Sequence, residues 1–244
     1  MKIFLIMTLL SMMSVAHSYN TFDLTEHFPD IDFAENENIP TWGVNNQLGD
    51  GAVISYSFAE SAYSSCGDHV INNSCFSLST FMPEDYQSVI SSAFGAWEEF
   101  ADLSFKQVSD QTGDVVIRGG DLEGSDTLGY GGFYVSLRPY SYSSISSGFL
   151  DFDRRDWSDS GILFGVALHE IGHVLGLDHS DDPSSVMYYL YSSDKDSLQP
   201  DDIAGIQYLY GAASVSPVPE PSTYLLFLLG LAMVLAYGRK THLN

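Results

Sequence analysis

Apolar and polar residues alternate along positions 52–58, Ala-Val-Ile-Ser-Tyr-Ser-Phe, and this period of two in a stretch rich in β-formers predicts a strand. A helical period follows. Val89, Ile90, Ala93, Phe94 and Trp97 fall on one face of a helix opened by Pro83 and running to about Ala101, and that face should be core. Residues 114–118 read as a short buried strand, 119–132 as a glycine-rich loop and 133–137 as a further strand. Pro200 opens a last helix with Asp201 and Asp202 in its first turn, where the helix dipole favours acids.

Two apolar runs stand outside this pattern. Residues 3–13 follow a single Lys2 and precede small residues around Ala16-His17-Ser18, which reads as an export signal over 1–18 rather than a membrane span of about 20 apolar residues. An acidic arm, 19–39, packs on the domain that follows, 40–212; the sharper alternative is that one of its aspartates acts as a capping ligand at the functional site before maturation. A linker, 213–222, holds Pro219-Glu220-Pro221 and leads to an apolar segment over 223–238 that ends in Arg239 and Lys240. Such a segment is short for a bilayer, but its basic end, 239–244, can snorkel and would stay in the cytoplasm, leaving the domain outside.

Composition narrows the partners. Nine Lys plus Arg stand against 32 Asp plus Glu, a formal charge of −23, which argues against nucleic acid as a partner and for solubility, calcium or a saline surrounding. Cys66 and Cys75 are an even pair in an exported chain and predict a disulfide; a thiolate that caps the functional site in a latent form is the alternative.

The chemistry concentrates in residues 169–179, His-Glu-Ile-Gly-His-Val-Leu-Gly-Leu-Asp-His. His169 and His173, four apart, project from one helix face as two ligands of one metal must. Gly176 can take the positive φ that ends the helix, and the chain then returns His179 as third ligand. Three neutral imidazoles leave zinc an open position, the mark of a catalytic site, and Glu170 is placed to take the proton of a water activated there.

These residues, with Ser180 after the third histidine, resemble the matrixins, the matrix-metalloprotease-like branch of the metzincins. The likeness covers about residues 40–211 and includes Ala93-Phe-Gly-Ala-Trp97 upstream and Leu198-Gln-Pro-Asp-Asp202 downstream. It implies an α+β zincin-like domain, a twisted mixed sheet with about three α-helices and the zinc helix beneath the sheet. It also implies that Met187 forms a methionine turn under the zinc, that strand 133–137 receives an extended peptide, and that residues 188–191 wall the specificity pocket. Asp153 and Asp156 match calcium carboxylates of the family, with salt bridges to Arg154 and Arg155 as the alternative. Leu122, Ser136 and Asp151 stand where histidines would hold a structural zinc, so one zinc ion is expected. The C-terminal end resembles the PEP-CTERM sorting signal of Gram-negative bacteria, which implies an exosortase-type sorting enzyme as partner.

The expectation is therefore a zinc metalloendopeptidase, exported to the envelope or cell surface and held by its tail or released after tail processing. Its substrates would be proteins or peptides. Two rivals remain: a displayed matrix or binding protein that keeps the zinc fold with little proteolysis, and a zinc amidase acting on cell-wall peptides.

Overall fold

Strand β1 (Ala52–Phe58) alternates as its sequence predicts, with Ile54 and Tyr56 in the core and Val53 facing solvent. A computed structural model describes residues 21–23, 39–43, 47–60, 69–124, 126–138, 141–155 and 157–214, with backbone alone at 73, 137–138 and 141–143. The elements after β1 are β2 (Val70–Phe76), α1 (Tyr86–Glu98), β3 (Leu103–Gln107), β4 (Val115–Leu122), β5 (Gly129–Arg138), β6 (Ser141–Asp153), α2 (Ser160–Val174) and α3 (Pro200–Tyr210).

The strands form one mixed sheet in the order β3-β1-β4-β6-β5. Neighbours from β3 to β6 run parallel, and β5 closes one edge antiparallel to β6. β2 lies antiparallel along the second half of β4, from Gly119 to Leu122. With three α-helices among the described residues, this is the α+β architecture the sequence implies.

Helices α1 and α2 are joined through buried faces. Ile90, Ala93, Phe94 and Trp97 of α1 are all in the core, and the Trp97 indole donates to the Leu168 carbonyl at 3.0 Å. Nine of the fifteen residues of α2 are buried, so packing rather than propensity holds this helix. Asp159 caps it by accepting from the Gly161 N–H at 2.9 Å. The described part of the N-terminal arm docks here too. Phe22 is buried edge-on to Phe133 of β5, and its N–H donates to the Gly176 carbonyl at 2.9 Å.

Three sequence expectations need correction. α1 is shorter than 83–101, because residues before Tyr86 and after Glu98 form turns. β4 runs on through Gly119 and Gly120 to Leu122, pairing there with β2 and β6. Gly129 to Gly132 are strand rather than loop, laddered to residues 149–152 of β6. Gly131 has a steric reason to lack a side chain: a Cβ there would come within 2.1 Å of the Glu170 carbonyl oxygen, so only glycine lets the sheet edge approach α2.

Behind that edge lies a buried ionic cluster. Asp151 of β6 accepts from Arg118 of β4 through both carboxylate oxygens, at 2.6 and 2.7 Å, and is 2.6 Å from His69 Nε2. The His69 ring stacks against both Tyr130 and Phe149, whose rings also stack on each other. Burial opposes the Asp151 charge, but His69 and Arg118 outweigh it and hold the carboxyl below its usual range.

Candidate metal centre

His169 and His173 lie on α2 four residues apart, and Gly176 ends the helix at φ +100°. The chain then folds back so that His179 meets the other two. Nε2 of His173 is 3.1 Å from that of His169 and 3.2 Å from that of His179. Among the described residues this is the one cluster of three or more side chains that could hold a metal ion.

The donor set fits zinc. Tetrahedral ligands about 2.05 Å from zinc stand about 3.4 Å apart, close to the observed spacings. Tautomers are fixed as well: His169 Nδ1 is 2.7 Å from the Val186 carbonyl and His173 Nδ1 is 2.9 Å from the Leu177 carbonyl. A carbonyl only accepts, so Nδ1 carries the hydrogen and each Nε2 presents a lone pair to the cluster. Burial is the main reason all three rings are neutral. It pushes His169 down to about 4, His173 well below its ordinary value, and His179 down against the opposing field of Asp178.

Glu170 points to the same space. Its Oε2 accepts the Gly131 N–H at 2.6 Å, which ties the carboxylate to β5. Burial raises the carboxyl to about 7, with the Gly131 bond opposing. A cavity of about 610 Å³ opens here, bounded by α2, the start of β5, residues 188–191 and Lys195. Tyr188, Tyr189, Leu190 and Tyr191 line it, as the sequence anticipates for the pocket wall.

Met187 is buried beneath α2, its Sδ so close to Gly172 that a Cβ there would come within 2.2 Å of it. The turn that holds it is anchored by Asp202, a residue the sequence reading missed as a site residue. Its Oδ1 accepts from Ser185 Oγ and from Met187 N at 3.0 Å; its Oδ2 accepts from Val186 N at 2.9 Å and Gln199 N at 2.8 Å. Val186 is the residue whose carbonyl orients His169, so Asp202 acts on the first ligand through one peptide unit. The signal available beforehand was the pairing of Gln199 with Asp202 three residues on, a capping box.

Other expected site residues lie elsewhere. Asp153 has one oxygen on Arg155, at 2.9 Å, and the other on the Leu122 N–H, at 3.0 Å, while Arg154 pairs with Asp121. Asp156 is outside the described residues. Cys75 is disulfide-bonded on β2, while Cys66, its expected partner, lies outside the described residues. The same holds for residues 1–20 and 215–244, which include the export signal and the C-terminal segment. Among the described residues no helix is long and apolar enough to cross a membrane.

Comparison with known proteins agrees with this geometry. Residues 71–211 match the family model described as Matrixin, and residues 217–240 match the PEP-CTERM protein-sorting motif. Similar proteins include stromelysin-1 of Rattus norvegicus, 36% identical over 155 residues, covering 58% of this chain and 33% of that protein. Matrilysin of Rattus norvegicus is 39% identical over 132 residues, half of this chain and 49% of its own. Macrophage metalloelastase of Oryctolagus cuniculus is 36% identical over 151 residues, 57% of this chain and 32% of its own. The chain thus spans between a third and a half of the length of these relatives.

Proposed function

The chain belongs to the matrixin family, and from that footing we propose that it is an exported zinc-dependent endopeptidase carried to the cell surface. The observation that carries the reading is the convergence of three neutral imidazoles beside a half-buried, anchored carboxylate in one open pocket. Zinc held by His169, His173 and His179 would supply Lewis acidity, polarising a peptide carbonyl and lowering the pKa of water toward about 7.

The chain's own residues do the rest. Glu170 accepts the proton of the attacking water on its carboxylate and passes it to the leaving amine, while the Gly131 N–H on Oε2 keeps the group aimed into the pocket. Carbonyls of Val186 and Leu177 keep His169 and His173 in the ligating tautomer, and Met187 is a floor rather than a reactant. β5, the last strand in the sheet order among the described residues, gives an extended peptide a hydrogen-bonding partner.

The division into a signal over 1–18, an arm over 19–39, a catalytic domain over 40–212 and a sorting tail beyond it belongs to the same proposal. The tail motif makes an exosortase-type enzyme the expected processing partner, with protein or peptide as substrate. Hydrolysis of a quenched fluorescent peptide library, with and without a zinc chelator and beside Glu170→Ala, tests the reading. Chelator-sensitive cleavage that the substitution abolishes supports it. A folded, zinc-supplied protein that cleaves no member sinks it.

A further inference from the structure

The pocket beside Glu170 has a charge of its own. Lys195 lines it opposite α2 and is only 9% exposed. Three arginines with described side chains each sit on a carboxylate: Arg118 on Asp151, Arg154 on Asp121 and Arg155 on Asp153. Lys195 has no carboxylate within ion-pair distance among the described residues. Its ammonium donates to the Leu190 carbonyl at 3.0 Å and stands 4.6 Å from the centre of the Tyr188 ring. An ammonium has three donors, and these partners leave capacity for an anion.

The acids whose field reaches Lys195 are committed elsewhere. Asp202 holds the methionine turn, Asp182 accepts from the N–H and Oγ of Ser184, and Asp194 accepts from Ser192 Oγ. Burial lowers the Lys195 pKa despite those three carboxylates, as expected of a cation short of solvent.

We propose that Lys195 makes this pocket select a carboxylate side chain, glutamate or aspartate, next to the scissile bond of the peptide. The inference rests on the endopeptidase reading and adds its substrate class. Leu190 and Tyr188 position the ammonium; the incoming carboxylate completes its shell with a charge-assisted bond in a partly desolvated site. The domain's acidic surface repels such a substrate at long range. That repulsion is screened over about 8 Å at physiological salt, whereas the contact in the pocket is screened far less.

The test compares quenched peptides that differ only beside the cleaved bond, carrying Glu, Gln, Asp, Asn or Leu, with the full-length zinc-loaded chain, Lys195→Met and Lys195→Arg. Wild type should cleave the Glu peptide at least about tenfold better than its Gln isostere in kcat/KM, the scale of one charge-assisted bond. Lys195→Met should bring that ratio below about twofold, and Lys195→Arg should keep the preference. If Lys195 merely braces residues 190–195, its replacement by Met lowers all peptides in proportion and the Glu-to-Gln ratio stays put, which overturns the proposal. Equal cleavage of Glu and Gln peptides by wild type also overturns it and leaves the endopeptidase reading standing.

A second readout is binding of the same peptides to the Glu170→Ala chain, which does not depend on turnover. A Glu preference in binding that is lost with Lys195→Met, without cleavage by wild type, keeps the pocket's selectivity and removes the endopeptidase. Neither cleavage nor preference removes both.

Discussion

Replacing Asp202 should separate the folding role of the methionine turn from its role in zinc binding. In Asp202→Ala the N–H groups of Val186 and Gln199 lose their acceptor, whereas Met187 N keeps Ser185 Oγ at 2.9 Å. The buried donors left without an acceptor, the Val186 N–H and the Ser185 hydroxyl, at about 1–3 kcal/mol each give a loss of about 4 kcal/mol, to which the part-buried Gln199 N–H adds less. For a domain of this size that lowers Tm by about 8–16 °C. Asp202→Asn is milder. Its amide can place NH2 on the Oδ1 side, where the Ser185 hydroxyl turns to accept, and keep an oxygen toward Val186 and Gln199, for a cost of about 1 kcal/mol. Because Val186 also orients His169, Asp202→Ala should weaken zinc about tenfold, at the low end for outer-shell changes. Thermal melts at fixed zinc, with zinc affinity measured against a competing chelator, read both effects. Equal losses for Ala and Asn, or unchanged zinc affinity in Asp202→Ala, would refute the hydrogen-bond account.

Other perturbations follow from the same contacts. Gly131→Ala puts a Cβ within 2.1 Å of the Glu170 carbonyl oxygen and should cost about 1–3 kcal/mol in denaturant melts as well as most of the peptidase activity, because the Gly131–Glu170 bond must open. Arg118→Met leaves a buried Asp151 with His69 alone and should cost about 3–5 kcal/mol at pH 7 in urea titrations. The sign with pH is set by the lowered Asp151 pKa: its stabilisation is present above the unfolded value of about 3.9 and is lost as pH falls through the folded value, so Arg118→Met should move the acid-unfolding midpoint upward. Zinc at about a thousand times its Kd should stabilise the folded chain by about 4 kcal/mol, and His173→Ala should remove that gain in calorimetric melts.

The sequence was most informative where the chemistry is local. His169, Glu170, His173, Gly176 and His179 span eleven residues, and helix geometry alone predicts the common face of His169 and His173. β1 and the buried face of α1 were legible for the same reason, a clean period. Gly129 to Gly132 were not, because glycine lowers strand propensity and the reason for Gly131, the α2 backbone at Glu170, is 39 residues away in sequence. β2 reads Val-Ile-Asn-Asn-Ser-Cys-Phe and β6 opens on serine-rich sequence, so neither carries the alternation that marks a half-buried strand. Asp202 was hidden by a sufficient local explanation: acids in a first turn need only the helix dipole, and its contacts to residues 185–187 are non-local.

Non-local contacts also decide whether the histidines form a ligand set at all. The motif supplies three imidazoles, but Nδ1 of His169 is aimed by Val186 and that of His173 by Leu177, both beyond the helix. Residues 185–187 hang on Asp202 near the start of α3, while the far end of α3 is tied down separately: the buried Tyr210 hydroxyl donates to the Leu175 carbonyl at 2.7 Å and accepts from Trp42 N at 3.3 Å. Tyr210→Phe strips that second tie and should cost about 1–3 kcal/mol in Tm-based stability, comparable to the lower range for Asp202→Ala. It leaves the turn, Val186 and the His169 bond untouched, so zinc affinity of the folded protein should stay within about twofold. If zinc affinity instead fell in proportion to stability in both variants, the metal would be reporting global folding, and Asp202 would have no separate part in orienting His169.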